Sequence, residues 1–348
     1  MTQGKRRPRR SGATIEGVAR AAGVSRQTVS NALNAPQRVR ADTLARVMEA
    51  VERLGYQPDQ SARSLRTGSR RTIGYLAPVD DPFDPNPLMG GFLEALVDAA
   101  GAEGQRVLLF RPPPGVTDPR PAIEELIAAR QVDGFVLSDV LSDDVRVEHV
   151  ARAGVPFVAF GRTAPGTPQH WVDLDNTGAM TDVVELLAAR GHRRVAFLGS
   201  QPELPWMADR KEGFRLGVQR HGLDASTALE LTAARGDDAT GTVAAVRALL
   251  RGPDRPTAIA TTGDMLALTA YEAVKAENLA VGRDVAVVGF HDSPICRLLH
   301  PPLTSVRLPL RDIAAELVRR LLAQVRREAV PGRGLLVPAE PVVRDSTG

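Results

Sequence analysis

Cysteine is almost missing from these 348 residues: Cys296 stands alone, which excludes an internal disulfide and any cysteine-rich metal site. That usage agrees with a reducing compartment and with Cys296 as a buried or inert thiol. Long apolar runs are missing too. No stretch approaches the about 20 consecutive apolar residues that cross a bilayer. The N-terminal "MTQGKRRPRRSG" is basic without the apolar segment of a secretory signal, so a cytoplasmic protein is the expectation. Reactive signatures are also lacking. There is no GxSxG, no GxGxxG and no Walker A loop, and the six histidines are scattered without metal-ligand spacing. Neither an enzyme nor a bound cofactor or metal is expected.

What is present is an uneven distribution of charge. Residues 1–71 hold 15 Lys and Arg against 5 Asp and Glu, while the other 277 residues hold 29 against 36. A formal charge of +10 therefore precedes one of −7, the footprint of a polyanion-binding module attached to a body that is not one. For "KRRPRR" alone, a merely solvated basic tail is an equal alternative. The length exceeds what one core usually serves, so two or three folding units are expected, a small appendage and a large body.

The appendage is helical. "TIEGVARAA" places Ile15, Val18, Ala19 and Ala22 on one face; Gly23 interrupts; "SRQTVSNAL" follows; then "ADTLARVMEAVERLGY" aligns Leu44, Val47, Val51 and Leu54. Ser25 and Asp42 are the expected N-caps of the second and third helices, and Gly55 the stop of the third. Beyond residue 71, aliphatic strands alternate with helices, from "TIGYLAP" through "VPFVAF". A second such series begins near "HWVDLDN" and runs to "DVAVVGF". Apolar strands separated by helices predict two doubly wound parallel sheets covered on both faces.

On a helical wheel of the second helix, Arg26, Gln27, Ser30 and Asn31 share one arc and Val29, Ala32 and Leu33 another. One arc packs and the other is presented. Arginine reads guanine bidentately, and glutamine or asparagine reads adenine, so the presented arc suits base edges in a major groove. Ser25 and Thr28 near the helix start suit phosphates and set the register. An ordinary polar bundle face is the alternative, disfavoured by the helix–glycine turn–helix and the local charge together.

Here "TIEGVARAAGVSRQTVSNALN", followed by "LGYQPDQSARSLRT" and "RTIGYLAP", resembles the LacI/GalR family of bacterial transcription regulators. The likeness continues in order through "NPL" at 86–88, "RQVDGFVL", "VPFVAFGR", "VDLDN", "RGHRRVAFLG", "DRKEGF", "GDMLAL", "DVAVVGFHDSP" and "PPLTSVRLPL". The resemblance implies a small all-α helix-turn-helix domain plus an α/β two-lobed periplasmic-binding-protein-like domain. The implied layout is a basic arm at 1–12, the DNA-binding domain at 13–58, a hinge helix and linker at 59–71, and an effector-binding and dimerisation domain at 72–348. In that last domain the N-lobe is expected at about 72–163 and 293–329 and the C-lobe at about 164–292 and 330–344, with crossovers near 163, 292 and 329.

The resemblance also implies sites. Thr14, Ser25, Arg26, Gln27, Thr28, Ser30 and Asn31 are the expected DNA contacts of the head, with Arg63 and Leu65 in the hinge. In the family the hinge leucine wedges into the minor groove at the centre of the site, where unstacking is offset by a bend that brings both heads into contact. Asp59 departs from the asparagine common there. A linker with an incidental leucine is the alternative. Effector positions carry over to Leu88, Met89, Leu204, Trp206, Arg210, Gly263, His291 and Asp292. Arg210 can fork to hydroxyls or a carboxylate, and Trp206, expected in the loop before "ADRKEGF", offers a face for stacking if it is not a core aromatic. Many sugar-binding members have Asn where this chain has Gly263 and Asp where it has His291. His291 either binds ligand or fills the crossover loop, and Asp264 either lies near the ligand or caps its helix.

The expectation is a homodimeric, ligand-responsive, nucleoid-associated repressor of carbohydrate uptake or catabolism genes, with a palindromic double-stranded DNA operator, a sugar effector and no membrane partner. A purine or nucleoside co-repressor is the alternative effector. A solute-binding transport protein shares the body, but the basic head and the missing signal segment oppose it.

Overall fold

The computed structural model describes residues 14–56, 69–77, 87–164, 166–200, 204–223, 230–233 and 239–348. The basic arm and most of the hinge segment, including Asp59, Arg63 and Leu65, lie outside these residues, as does Asn86. The chain divides into two units between Arg70 and Arg71.

In the first unit, α1 (Ile15–Ala22) begins at Thr14, whose hydroxyl accepts from the Gly17 amide at 3.1 Å. It ends at Gly23, whose φ of 66° is open to glycine at no steric cost. Ser25 then caps α2 (Arg26–Asn34), accepting from the Thr28 amide at 3.1 Å as expected. α3 (Ala41–Leu54) ends at Gly55, also as expected, but its N-cap is Arg40, which makes no side-chain capping bond. Asp42, expected as that cap, falls in the first turn, where a carboxylate complements the helix dipole. Val18, Ala19, Ala22, Val29, Ala32, Val47 and Ala50 form the core of the three helices, the alanines allowing close approach. Leu54, expected on the buried face, is 39% exposed. α3 runs for 14 residues against 8 and 9 for its partners, and its last turn leaves their shared core.

The second unit carries two sheets. In chain order its elements are β1 (Thr72–Leu76), α4 (Pro87–Ala102), β2 (Arg106–Phe110), α5 (Arg120–Ala128), β3 (Gly134–Leu137), α6 (Val145–Arg152), β4 (Phe157–Phe160), β5 (Trp171–Leu174), α7 (Asn176–Ala189), β6 (Val195–Ser200) and α8 (Pro205–Arg220). Then follow β7 (Glu230–Ala233), α9 (Ala239–Arg251), β8 (Ala258–Thr261), α10 (Asp264–Ala276), β9 (Ala286–His291), β10 (Thr304–Arg307), α11 (Leu310–Val325), β11 (Gly334–Val337) and β12 (Glu340–Val342). The first sheet has the order β11-β5-β4-β3-β1-β2 and the second β12-β10-β9-β8-β6-β7. All pairings are parallel except β10 with β12, an antiparallel edge on an otherwise parallel sheet. Alternate residues of one strand enter different cores: Val195 and Phe197 join the cluster containing Met180 and Val184, whereas Ala196 and Leu198 join the one around Ile259 and Val287. Both faces of the sheet are therefore buried, and each fully buried Val, Leu or Phe contributes roughly 1.5–3 kcal/mol of transfer free energy.

The lobe boundaries differ from expectation. Trp171–Leu174, taken from the sequence as the start of the second lobe, pairs with β4 and β11 in the first sheet. Thr304–Arg307 pairs with β9 in the second sheet, and α11 after it packs on the first. The chain thus crosses after Leu174, after Arg307 and after Val337, not near 163, 292 and 329. A short apolar run shows that it is a strand; which sheet it joins is a matter of non-local pairing.

Candidate functional site

On α2 the two arcs separate as the periodicity requires. Val29 and Ala32 are buried, Arg26 and Gln27 are exposed, and Ser30 and Asn31 are half-buried beside them. Gln27 Nε2 donates to Asn31 Oδ1 at 3.0 Å, joining the two amides one turn apart. Arg26 Nη1 lies 3.0 Å from Glu16 Oε1 of α1. The Ser25 and Thr28 hydroxyls are 2.9 Å apart, and those of Ser25 and Thr14 also serve as helix caps. An exposed polar arc held by a buried apolar one, beginning at a capped N-terminus, can lie in a groove and direct three side chains at base edges.

In the second unit Arg210 meets groups at the carboxyl ends of β5, β8 and β9. Pro205 occupies the first turn of α8, so Trp206 and Arg210 stand one turn apart on one face. Trp206 is therefore in the helix and not in the loop the sequence suggested. The Arg210 guanidinium lies 4.4 Å from the centre of the Trp206 ring and 3.6 Å from that of Phe290. Its Nε donates to Asn176 Oδ1 at 2.8 Å and its Nη1 to the Thr262 carbonyl at 2.6 Å. Burial pushes this guanidinium down to about 9, opposed by Asp173, Asp264 and Asp209, so it remains a cation at neutral pH.

Arg162, just after β4, links the lobes: its Nε donates to Asp173 at 2.9 Å and its Nη2 to Asp209 of α8. Burial raises the Asp173 carboxyl against the pull of Arg162, and burial raises Asp209 as well. His291, at the end of β9, has φ 109°, and Asp292 has φ 49°. Such backbone costs ~1–3 kcal/mol per residue and persists where surrounding contacts over-determine it. Here Asp292 supplies them, with Oδ1 accepting from Arg344 Nη2 at 2.5 Å and Oδ2 from Arg307 Nε at 2.7 Å. Burial, then the Arg210 charge, push the His291 imidazole well below its ordinary value, so it is neutral. Asp264 does not cap α10, whose N-cap is Gly263; its oxygens accept from the Ser305 hydroxyl at 2.6 Å and the Ser293 amide at 2.8 Å.

Of the expected effector residues, the structure brings Trp206, Arg210, Gly263 and His291 together, with Leu204 preceding α8. Asp292 turns to two arginines. Met89 is buried in the core at the start of α4, and Leu88 packs against it. Among the described residues there is no cluster that could hold a metal ion, and no helix is long and apolar enough to cross a membrane.

Residues 14–59 match the profile of bacterial regulatory proteins, lacI family, and residues 184–347 that of a periplasmic binding protein-like domain. The HTH-type transcriptional regulator AglR of Rhizobium meliloti (strain 1021) is 32% identical over 332 residues, covering 94% of this chain and 92% of AglR. The chain belongs to the LacI family of bacterial transcriptional regulators. This LacI-family chain superposes on the Lac repressor dimer bound to operator and the anti-inducer ONPF with a TM-score of 0.79 at 26% identity, covering 96% of this chain and 98% of that one. A complex of the regulator CelR with cellobiose gives 0.70 at 28% identity, covering 96% and 99%.

Sequence reasoning about this LacI-family regulator missed Arg162, Asp173, Asn176, Asp209 and Phe290 as parts of the network around Arg210. The signal was in "FGR" and "VDLDN", ordinary motifs taken alone, whose partners lie up to 47 residues away.

Proposed function

We propose that this regulator is a sequence-specific, effector-responsive repressor of carbohydrate uptake or catabolism genes, binding a palindromic operator as a homodimer. The exposed arc of Arg26, Gln27 and Asn31 opposite buried Val29 and Ala32 carries the DNA reading. Thr14, Ser25, Thr28 and Ser30 set its register on phosphates, and Arg63 and Leu65 act in the minor groove. The effector sits against Trp206, Arg210, Gly263 and His291, with Leu88 and Leu204 at its edges; Asp292 supports His291, and Met89 belongs to the core. A sugar is favoured by an aromatic ring beside hydrogen-bonding groups and by the likeness to a regulator solved with cellobiose. A purine or nucleoside is the second reading, favoured by the space before Gly263, where an added Cβ would meet only the His291 ring, at 3.6 and 3.9 Å.

The test is a titration of intrinsic fluorescence with mono- and disaccharides, purines and nucleosides, each hit repeated with Trp206→Phe. A saturable sugar response that vanishes in the variant supports the carbohydrate reading. A response to bases alone overturns it in favour of the second.

A further inference from the structure

His291 and Gly263 form a corner whose geometry constrains what the imidazole can do. Nε2 of His291 lies 3.4 Å from Nη1 of Arg210. A guanidinium only donates, so the ring nitrogen facing it is the acceptor and carries no proton. The imidazole is neutral, since burial and the Arg210 charge both oppose a second proton. Its one proton is then on Nδ1.

That nitrogen has no hydrogen-bond partner among the described residues and faces the space before Gly263, within 3.9 Å of where a Cβ would stand. The ring is also held: the paired positive-φ residues His291 and Asp292 are fixed by Arg307 and Arg344 on the Asp292 carboxylate and by the Asp292 amide donating to Ser305 Oγ at 3.0 Å. The charged groups around this corner are Arg210 from α8, Asp264 at the start of α10, Arg307 opposite His291 on β10, and Asp292 itself, engaged by Arg307 and Arg344.

We infer that His291 is a fixed hydrogen-bond donor of the effector cleft, held as the Nδ1–H tautomer by Arg210, and that it selects an effector presenting an oxygen acceptor at the Gly263 corner. An aspartate in its place accepts from hydroxyl donors. An N–H there, covered once a ligand fills the corner, rewards instead a glycosidic or ring ether oxygen, a carbonyl or a carboxylate, because a ligand without an acceptor there leaves the donor unsatisfied. This inference rests on the cleft being the effector site.

The test uses the full-length chain with 15N-labelled histidine, the His291→Gln variant assigning the signal. The expected His291 is protonated at Nδ1, bare at Nε2 and titrates well below the ordinary value of about 6.5, and Arg210→Met moves that titration up only in part, because burial is the larger cause. A proton on Nε2, or ordinary titration in the unaltered chain, overturns the inference. Cellobiose, maltose and adenosine are then titrated into the chain and two variants. For a probe that binds, His291→Gln, which keeps an N–H donor, is expected to stay within about threefold, and His291→Asp to lose about tenfold or more. Equal losses, or tighter binding by the Asp variant, overturn the donor role. The expected tautomer with no probe bound overturns the effector reading on which the selection rests, so the two failures are distinguishable.

Discussion

Arg26 on α2 lies within 3.0 Å of Glu16 on α1, so the side chain best suited to a guanine edge is held by a carboxylate of the neighbouring helix. Both side chains are mostly exposed, 66% and 62%, and such a pair contributes only ~0–1 kcal/mol. On the proposed reading, DNA would displace it at little cost. Arg26→Ala is expected to lose about 1–3 kcal/mol of discrimination at one base pair. Fluorescence anisotropy across singly substituted duplexes checks it, and an equal loss on all sequences contradicts the assignment.

Glu16→Gln removes a negative charge beside the presented arc. Affinity for every duplex should rise modestly, more at low salt than at high, with base preference unchanged. A salt series with two unrelated duplexes measures this.

Asp292 is 3% exposed at its side chain and carries two arginines, so Asp292→Ala leaves Arg344, itself 13% exposed, with an uncompensated charge. The expected loss is about 3–5 kcal/mol in urea unfolding. Arg307→Ala should cost much less, because the Arg307 side chain is 54% exposed and Arg344 still pairs Asp292.

Gly213 and Gly217 let α8 lie against α7. A Cβ on Gly213 would collide with the Thr177 backbone carbonyl, and one on Gly217 would come to 2.6 Å from Val184 Cβ. Gly213→Ala should destabilise by about 1–3 kcal/mol and also weaken the effector response, because Arg210 on α8 is hydrogen-bonded to Asn176 on α7. Unchanged stability with unchanged response would contradict this packing.

Acid should weaken the fold below the ordinary histidine range. His291, His192 and His170 are all pushed down, chiefly by burial, so the unfolded chain binds protons that the folded chain refuses. Their contribution is present above the unfolded value and is lost as pH falls, at up to about 1.4 kcal/mol per pH unit for His291 and much less for the partly exposed His170 and His192. Asp173 and Asp209, raised by burial, act in the opposite sense: their contribution is full below the ordinary carboxylate value and fades as pH rises through the raised one. Urea midpoints across this range should show a shallower acid arm in His291→Gln, and an unaltered slope would contradict the buried neutral imidazole.

The three-helix unit is legible in the sequence because its signals are local. Ser25, Gly23 and Gly55 act within a few residues of themselves, and Val29 and Ala32 declare the buried arc by spacing. Asp42 misleads because a good capping residue sits two places inside the helix. The cleft is less legible. Pro205 signals a helix start, yet its neighbours "GSQPEL" read as a loop, which misplaces Trp206. Asp292 carries the residue type of a ligand contact, and only the approach of Arg307 and Arg344 from the strand beside it and the C-terminal segment gives it a structural task. Arg162 and Asp209 meet across lobes, a fact of tertiary packing that no local pattern encodes.

The central claim is that α2 reads a specific sequence, and selection from a pool of randomised duplexes with the full-length chain tests it most directly. The account predicts enrichment of one palindrome, and its loss when Arg26, Gln27 and Asn31 are replaced together by alanine in a chain that still folds. No enrichment, or enrichment of the same sequence by the triple variant, would contradict it.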